Sequence, residues 1–112
     1  MSCDFTPLDS FVTTLSESLC ASDDFLHLAD HEKLLKLLPD SGMWTTLAIY
    51  DNQVIEVVKA YNYCGVLVFD RGFELTKPLR FPCGSVVKFI MTKAGVEAMV
   101  CCDKWCKDCE NG

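Results

Sequence analysis

Cysteine is the residue with the most chemistry to offer in this 112-residue chain, which holds eight of them: Cys3, Cys20, Cys64, Cys83, Cys101, Cys102, Cys106 and Cys109. The last four spell CCx3Cx2C. In a Cx2C pair such as Cys106 and Cys109, a tight turn points both thiolates at one ion, and Cys101 or Cys102 can complete a tetrahedral zinc set. Zinc ribbons, however, set their second pair about 15 to 20 residues away on a separate knuckle. This cluster is compressed into nine positions, so zinc is the weak alternative, disulfides or plain thiols stand first, and no cofactor is expected. The polar neighbours Asp103, Lys104, Lys107, Asp108 and Glu110 argue that these thiols are exposed. Vicinal Cys101 and Cys102 suit two different partners better than one. Cys3, Cys20, Cys64 and Cys83 read either as small apolar filler, since cysteine is among the most often buried residues, or as further staples between subunits. All eight are therefore disulfide candidates, and spacing leaves their connectivity open.

His27 and His31 stand four apart, the spacing of two ligands on one helix face. A break between a strand and a helix falls between them, which favours a packing or surface role over a shared metal. No GxSxG, phosphate loop or HExxH is present, and no base is placed to acidify a thiol. The expectation is a protein without enzymatic activity and without catalytic residues. Within the most apolar part of the chain, Glu56 and Arg71 are the charges that stand out. An arginine at a strand end before Gly72 can hold a turn by bonding carbonyls, or pair with an acid on a neighbouring subunit.

Length bounds the chain to one domain with one modest core. Half of the residues are apolar, so disorder is excluded as a description of the whole. The net charge of −6 repels phosphate backbones, and no basic stripe interleaves with aromatics, so no nucleic-acid partner is expected. No apolar run reaches the roughly 18 residues of a membrane span, and MSCDFTPLDS lacks the regions of a signal peptide. A soluble chain made in a cytoplasm is expected, with no membrane partner.

The elements that must position these residues are mostly strands. Three β-segments are expected at Val54 to Tyr61, Val66 to Asp70 and Val86 to Met91, each rich in Val, Ile, Tyr and Phe. Breaks at Asn62 to Gly65, and from Arg71 and Gly72 through Phe81, Pro82, Cys83 and Gly84, supply turn residues. Arg71, Gly72, Pro82 and Gly84 are the expected structural turn positions. Met43 to Tyr50 is strand-like, with Leu47 and Ile49 on one side and Trp44, Ala48 and Tyr50 on the other. Asp51 and Asn52 then leave a hairpin-length gap, so this strand should pair antiparallel with the next. Upstream, Cys3 to Ser22 reads as a strand followed by a loop, and Asp24 to Ala29 as a short strand. Asp30 can cap a helix carrying Leu34, Leu35 and Leu38, stopped by Pro39. Thr92 can cap a helix running to Val100, although VEAMV fits a strand equally well. The fold class expected is mainly β: a small antiparallel β-sandwich or barrel with one or two short helices. Residues 1–100 form a single β-rich domain and residues 101–112 a cysteine-rich C-terminal tail. Both faces of the central strands carry large apolar side chains, so short helices or a neighbouring subunit must cover the second face.

The order of signals, a strand pair with Glu56, Val57 and Val58, a turn at Gly65, a strand running into Arg71 and Gly72, then Thr76, then Phe81-Pro82-x-Gly84 and a Val-rich strand, resembles a small β-domain recurrent in tailed-bacteriophage neck, tail, baseplate and fibre-anchoring proteins. The family's second turn reads RGxxGT, whereas Leu75 stands here in place of its second glycine. The resemblance covers most of the chain up to about Val100 and consists of structural punctuation. It implies a virion structural protein, assembled in the host cytoplasm, that homo-oligomerises and contacts other virion proteins. Such a protein works outside the cell, where exposed thiols oxidise.

Overall fold

The structure, a computed structural model, describes residues 5–52 and 54–98. Five strands, β1 (Val12–Thr14), β2 (Trp44–Asp51), β3 (Val54–Tyr63), β4 (Val66–Phe73) and β5 (Val86–Phe89), form one antiparallel sheet in the order β1-β5-β2-β3-β4. The mainly β, antiparallel class read from the sequence is the class observed, realised as a single sheet. One helix, α1 (His31–Leu37), lies between β1 and β2, and residues 93–98 form a second helical turn.

Register explains which side chains meet. Opposite β2, Leu47 faces Val58 and Ile49 faces Glu56, while Ala48 faces Val57 and Tyr50 faces Ile55. Side chains alternate along a strand, so the first set turns inward with Ala60, Leu67, Phe69 and Val87, and the second turns outward. Leu34 and Leu38 of the α1 segment, together with Leu8, Phe11, Leu15, Leu19, Leu26, Leu28 and Phe81, cover the inner face and complete the core. Burying this many large apolar side chains, at about 1.5–3 kcal/mol each, is what holds the sheet.

The outer face is covered in part by the chain itself. Phe5 bridges to Trp44 in parallel, its ring meets the Trp44 ring edge-on at 4.7 Å, and it packs against Gly95 of the last helical turn. Glu74 accepts a hydrogen bond from the Ala94 N–H, holding that turn over the sheet. Thr92 caps it, its Oγ1 accepting from the Gly95 N–H at 3.1 Å. Of the two alternatives for this segment, the helix is the one that forms.

Several expectations need correction. Asp24 to Ala29 is not a strand: its period-2 alternation buries Leu26 and Leu28, yet no neighbouring strand offers a ladder, and it makes one bridge, Leu28 to Leu15. Asp30 stands at the helix N-cap without a side-chain cap bond; its own N–H donates instead to Thr13 Oγ1. The break expected at Asn62 to Gly65 shrinks to Cys64 and Gly65, because Tyr63 and Val66 still pair. At the other end β4 runs on through Phe73, and β5 stops at Phe89 short of Met91.

Candidate functional site

Two turned-in charges dominate the interior. Glu56 sits on β3 on the core side of the sheet, fully buried, and a carboxylate taken out of water costs several kcal/mol unless it is paired and hydrogen-bonded. Four donors meet it: Arg71 Nε at 2.7 Å, Arg71 Nη2 at 2.8 Å, the Gly72 N–H at 3.0 Å and the Leu79 N–H at 2.8 Å. The guanidinium is equally occupied. Its Nη1 donates to the carbonyls of Cys20 at 3.0 Å and Asp23 at 2.6 Å, and its Nη2 also donates to that of Leu79 at 2.7 Å. With Nε and Nη2 on the carboxylate, all five guanidinium N–H groups are used.

A β-bulge creates this arrangement. Lys59 pairs with Asp70 and Val57 with Phe73, so Arg71 and Gly72 together oppose the one residue Val58. Gly72 has φ +63°, and a Cβ there would stand 2.7 Å from Pro78 Cδ. It lies inside β4 at the bulge, not in a loop turn as the sequence suggested. Thr76 secures the next turn by accepting from the Val57 N–H at 3.1 Å and donating to the Phe73 carbonyl at 2.7 Å. Pro82 and Gly84 occupy a true turn, closed by Ser85, whose N–H and hydroxyl both reach the Pro82 carbonyl. The clamp thus ties β3, β4, the 20–23 loop and the 79–81 segment together. Arg71 bonds carbonyls, as one sequence reading has it, and its acid is Glu56 of its own chain. Chemically the pair can hold backbone; it has no donor left for a substrate.

Both histidines pack on one aromatic ring. His27 lies in the loop before α1 and His31 opens the helix, and both rings rest on Phe25, at centroid distances of 5.0 and 5.5 Å. Phe25 in turn meets Phe69 edge-on at 5.5 Å. His27 Nδ1 stands 3.8 Å from Glu17 Oε2, both side chains largely in solvent. Among the described residues no group of three or more His, Cys, Asp or Glu is arranged to hold a metal.

Cys20, Cys64 and Cys83 are free thiols and exposed, against the reading of them as buried filler. Each lies in a turn or loop, where a small side chain has no core to fill. The Cys83 thiol donates to the Ser16 carbonyl at 3.4 Å, and Cys64 holds φ +53° in the β3–β4 turn. Cys3, Cys101, Cys102, Cys106 and Cys109 lie outside the described residues, and with them the weak zinc alternative.

Asn62, read from the sequence only as the first residue of a break, is a buried anchor. Buried at the end of β3, it donates through Nδ2 to the Leu38 carbonyl at 2.7 Å and accepts through Oδ1 from the Gly65 N–H at 2.8 Å, joining the end of the α1 segment to the β3–β4 hairpin. An asparagine two residues before a tight turn was the available signal. No protein-family model, curated protein or solved structure matches the chain.

Proposed function

We propose that this chain is a non-enzymatic structural component of a tailed-phage virion, in the neck, tail, baseplate or fibre-adaptor region, that homo-oligomerises and contacts other virion proteins. The observation that carries the reading is the use of the motif residues. Arg71, Gly72, Thr76, Phe81 and Gly84 spend their side chains or backbone freedom on a saturated clamp, a bulge, a turn bond, a core position and a tight turn. Such a framework leaves function to surfaces. Exposed apolar side chains, among them Tyr63 at 65% and Val66 at 60%, supply them. Free, exposed Cys20, Cys64 and Cys83 are open to oxidation outside the cell.

The test is a gel of purified particles. The chain should run heavier than 12.5 kDa without reductant and at about that mass with it. Its absence from both lanes contradicts the virion assignment. Monomer in both lanes, with the thiols open to alkylation, removes the disulfide staples alone.

A further inference from the structure

A leucine stands where the backbone asks for glycine. Beyond the bulge of β4, residues Phe73, Glu74, Leu75 and Thr76 close a turn, the Thr76 N–H donating to the Phe73 carbonyl at 3.3 Å, and the two central residues hold φ +56° and +66°. Two positive φ values in succession make a type I′ turn, which suits Asn-Gly and strains a residue with a long side chain. Leu75 carries that strain without burying anything. It is 104% exposed, the most exposed of the large apolar residues described. Strain kept under a bare apolar tip has no use inside the fold, and points to a contact outside it.

A receptor for such a tip exists on the same chain. In the layer that covers the inner face of the sheet, residues 7–11 and α1 enclose a groove of about 380 Å³. Leu8 and Phe11 are buried and floor it, while Leu37, Asp9 and Lys33 are exposed and line its mouth.

We propose that Leu75 of one copy seats in the Leu8, Phe11 and Leu37 groove of a second copy, joining the two knob to groove. This rests on the homo-oligomer part of the functional reading and names its surfaces. Charge selects the second copy as the occupant and sets its orientation. Glu74 and Lys77 flank the knob with opposite signs, as Lys33 and Asp9 flank the groove, so Glu74 falls to Lys33 and Lys77 to Asp9. The reversed seating would bring like charges together. Knob and groove are different patches of one chain, so the contact is heterologous and each joined pair keeps one free knob and one free groove.

Sedimentation velocity of the full reduced chain at about 100 μM, a concentration suited to a small contact, tests it. Wild type should run heavier than 12.5 kDa. Leu75→Gly removes the knob, and Leu37→Glu puts a carboxylate at the mouth where Glu74 would arrive. Each should weaken association at least about tenfold, with circular dichroism unchanged. Mixed in equal amounts, the two variants should recover a species of twice 12.5 kDa and none larger, because the first keeps its groove and the second its knob. In dilute solution Leu75→Gly should also raise the melting midpoint by about 3 °C or more, since the strain is relieved. Association that survives either variant, or a mixture that stays monomeric, overturns the knob and groove and spares the oligomer reading. A midpoint lowered by Leu75→Gly overturns the strain on which the knob stands. Wild type that is monomeric at this concentration overturns the contact and the oligomer reading together.

Discussion

A carboxylate with no water around it keeps its place only while every lone pair has a donor, and Glu56 has four. Removing one member of such a pair leaves the other charge buried alone. Glu56→Gln or Arg71→Met should each lower unfolding free energy by about 3–5 kcal/mol, read from urea midpoints at constant slope. A loss under about 1 kcal/mol would mean that water reaches the pair. Thr45 is the reverse case: its Oγ1 is buried without a hydrogen-bond partner among the described residues. Thr45→Val should therefore stabilise by about 1 kcal/mol, since an unsatisfied hydroxyl carries its desolvation cost uncompensated. A lower melting midpoint would show that the hydroxyl has a partner. The sequence marks Glu56 and Arg71 as odd charges in an apolar stretch, but not as one unit. Fifteen positions separate them, and their meeting depends on the bulge that turns Arg71 inward beside Gly72.

Elements were the most legible level, because runs rich in Val, Ile, Tyr and Phe between turn residues mark strands whichever face they bury. β2 and β3, and most of β4 and β5, lie where that composition and those breaks place them. Their ends shift where pairing persists through polar residues, as at Asn62 and Tyr63. Asp24 to Ala29 shows the limit: alternation reports which side chains are buried, not whether a neighbour completes the ladder. Turn chemistry gives two checks by thermal unfolding. Gly84→Val, at φ +92° with open space around a Cβ, should cost about 1 kcal/mol or more from backbone strain alone. Gly72→Ala should cost more, at least about 2 kcal/mol, because strain and the Pro78 contact add. The reverse order would contradict the bulge geometry. Cys64→Asn should stabilise the β3–β4 hairpin by several tenths of a kcal/mol, since Asn-Gly suits a turn with two positive φ values. No gain in melting midpoint would argue against that turn type.

At the scale of the molecule, the expectation that both sheet faces are apolar was sound, and the chain answers it partly from within. Phe5, Phe73 and the helical turn at 93–98 cover the middle of the outer face. What remains exposed includes the patch beside the β4 edge, the row from Val86 to Ile55, and Val12 on β1. Why the outer face is closed only in part was not legible in composition, since it depends on where Phe5 and the last helical turn land. On the proposed function, this framework serves a particle. Absolute peptide quantification across a density gradient of purified tailed particles tests it most directly. One constant ratio of this chain to the other particle proteins is expected through the infectious peak. A chain confined to the soluble fraction, or present at a ratio that varies from fraction to fraction, would contradict it.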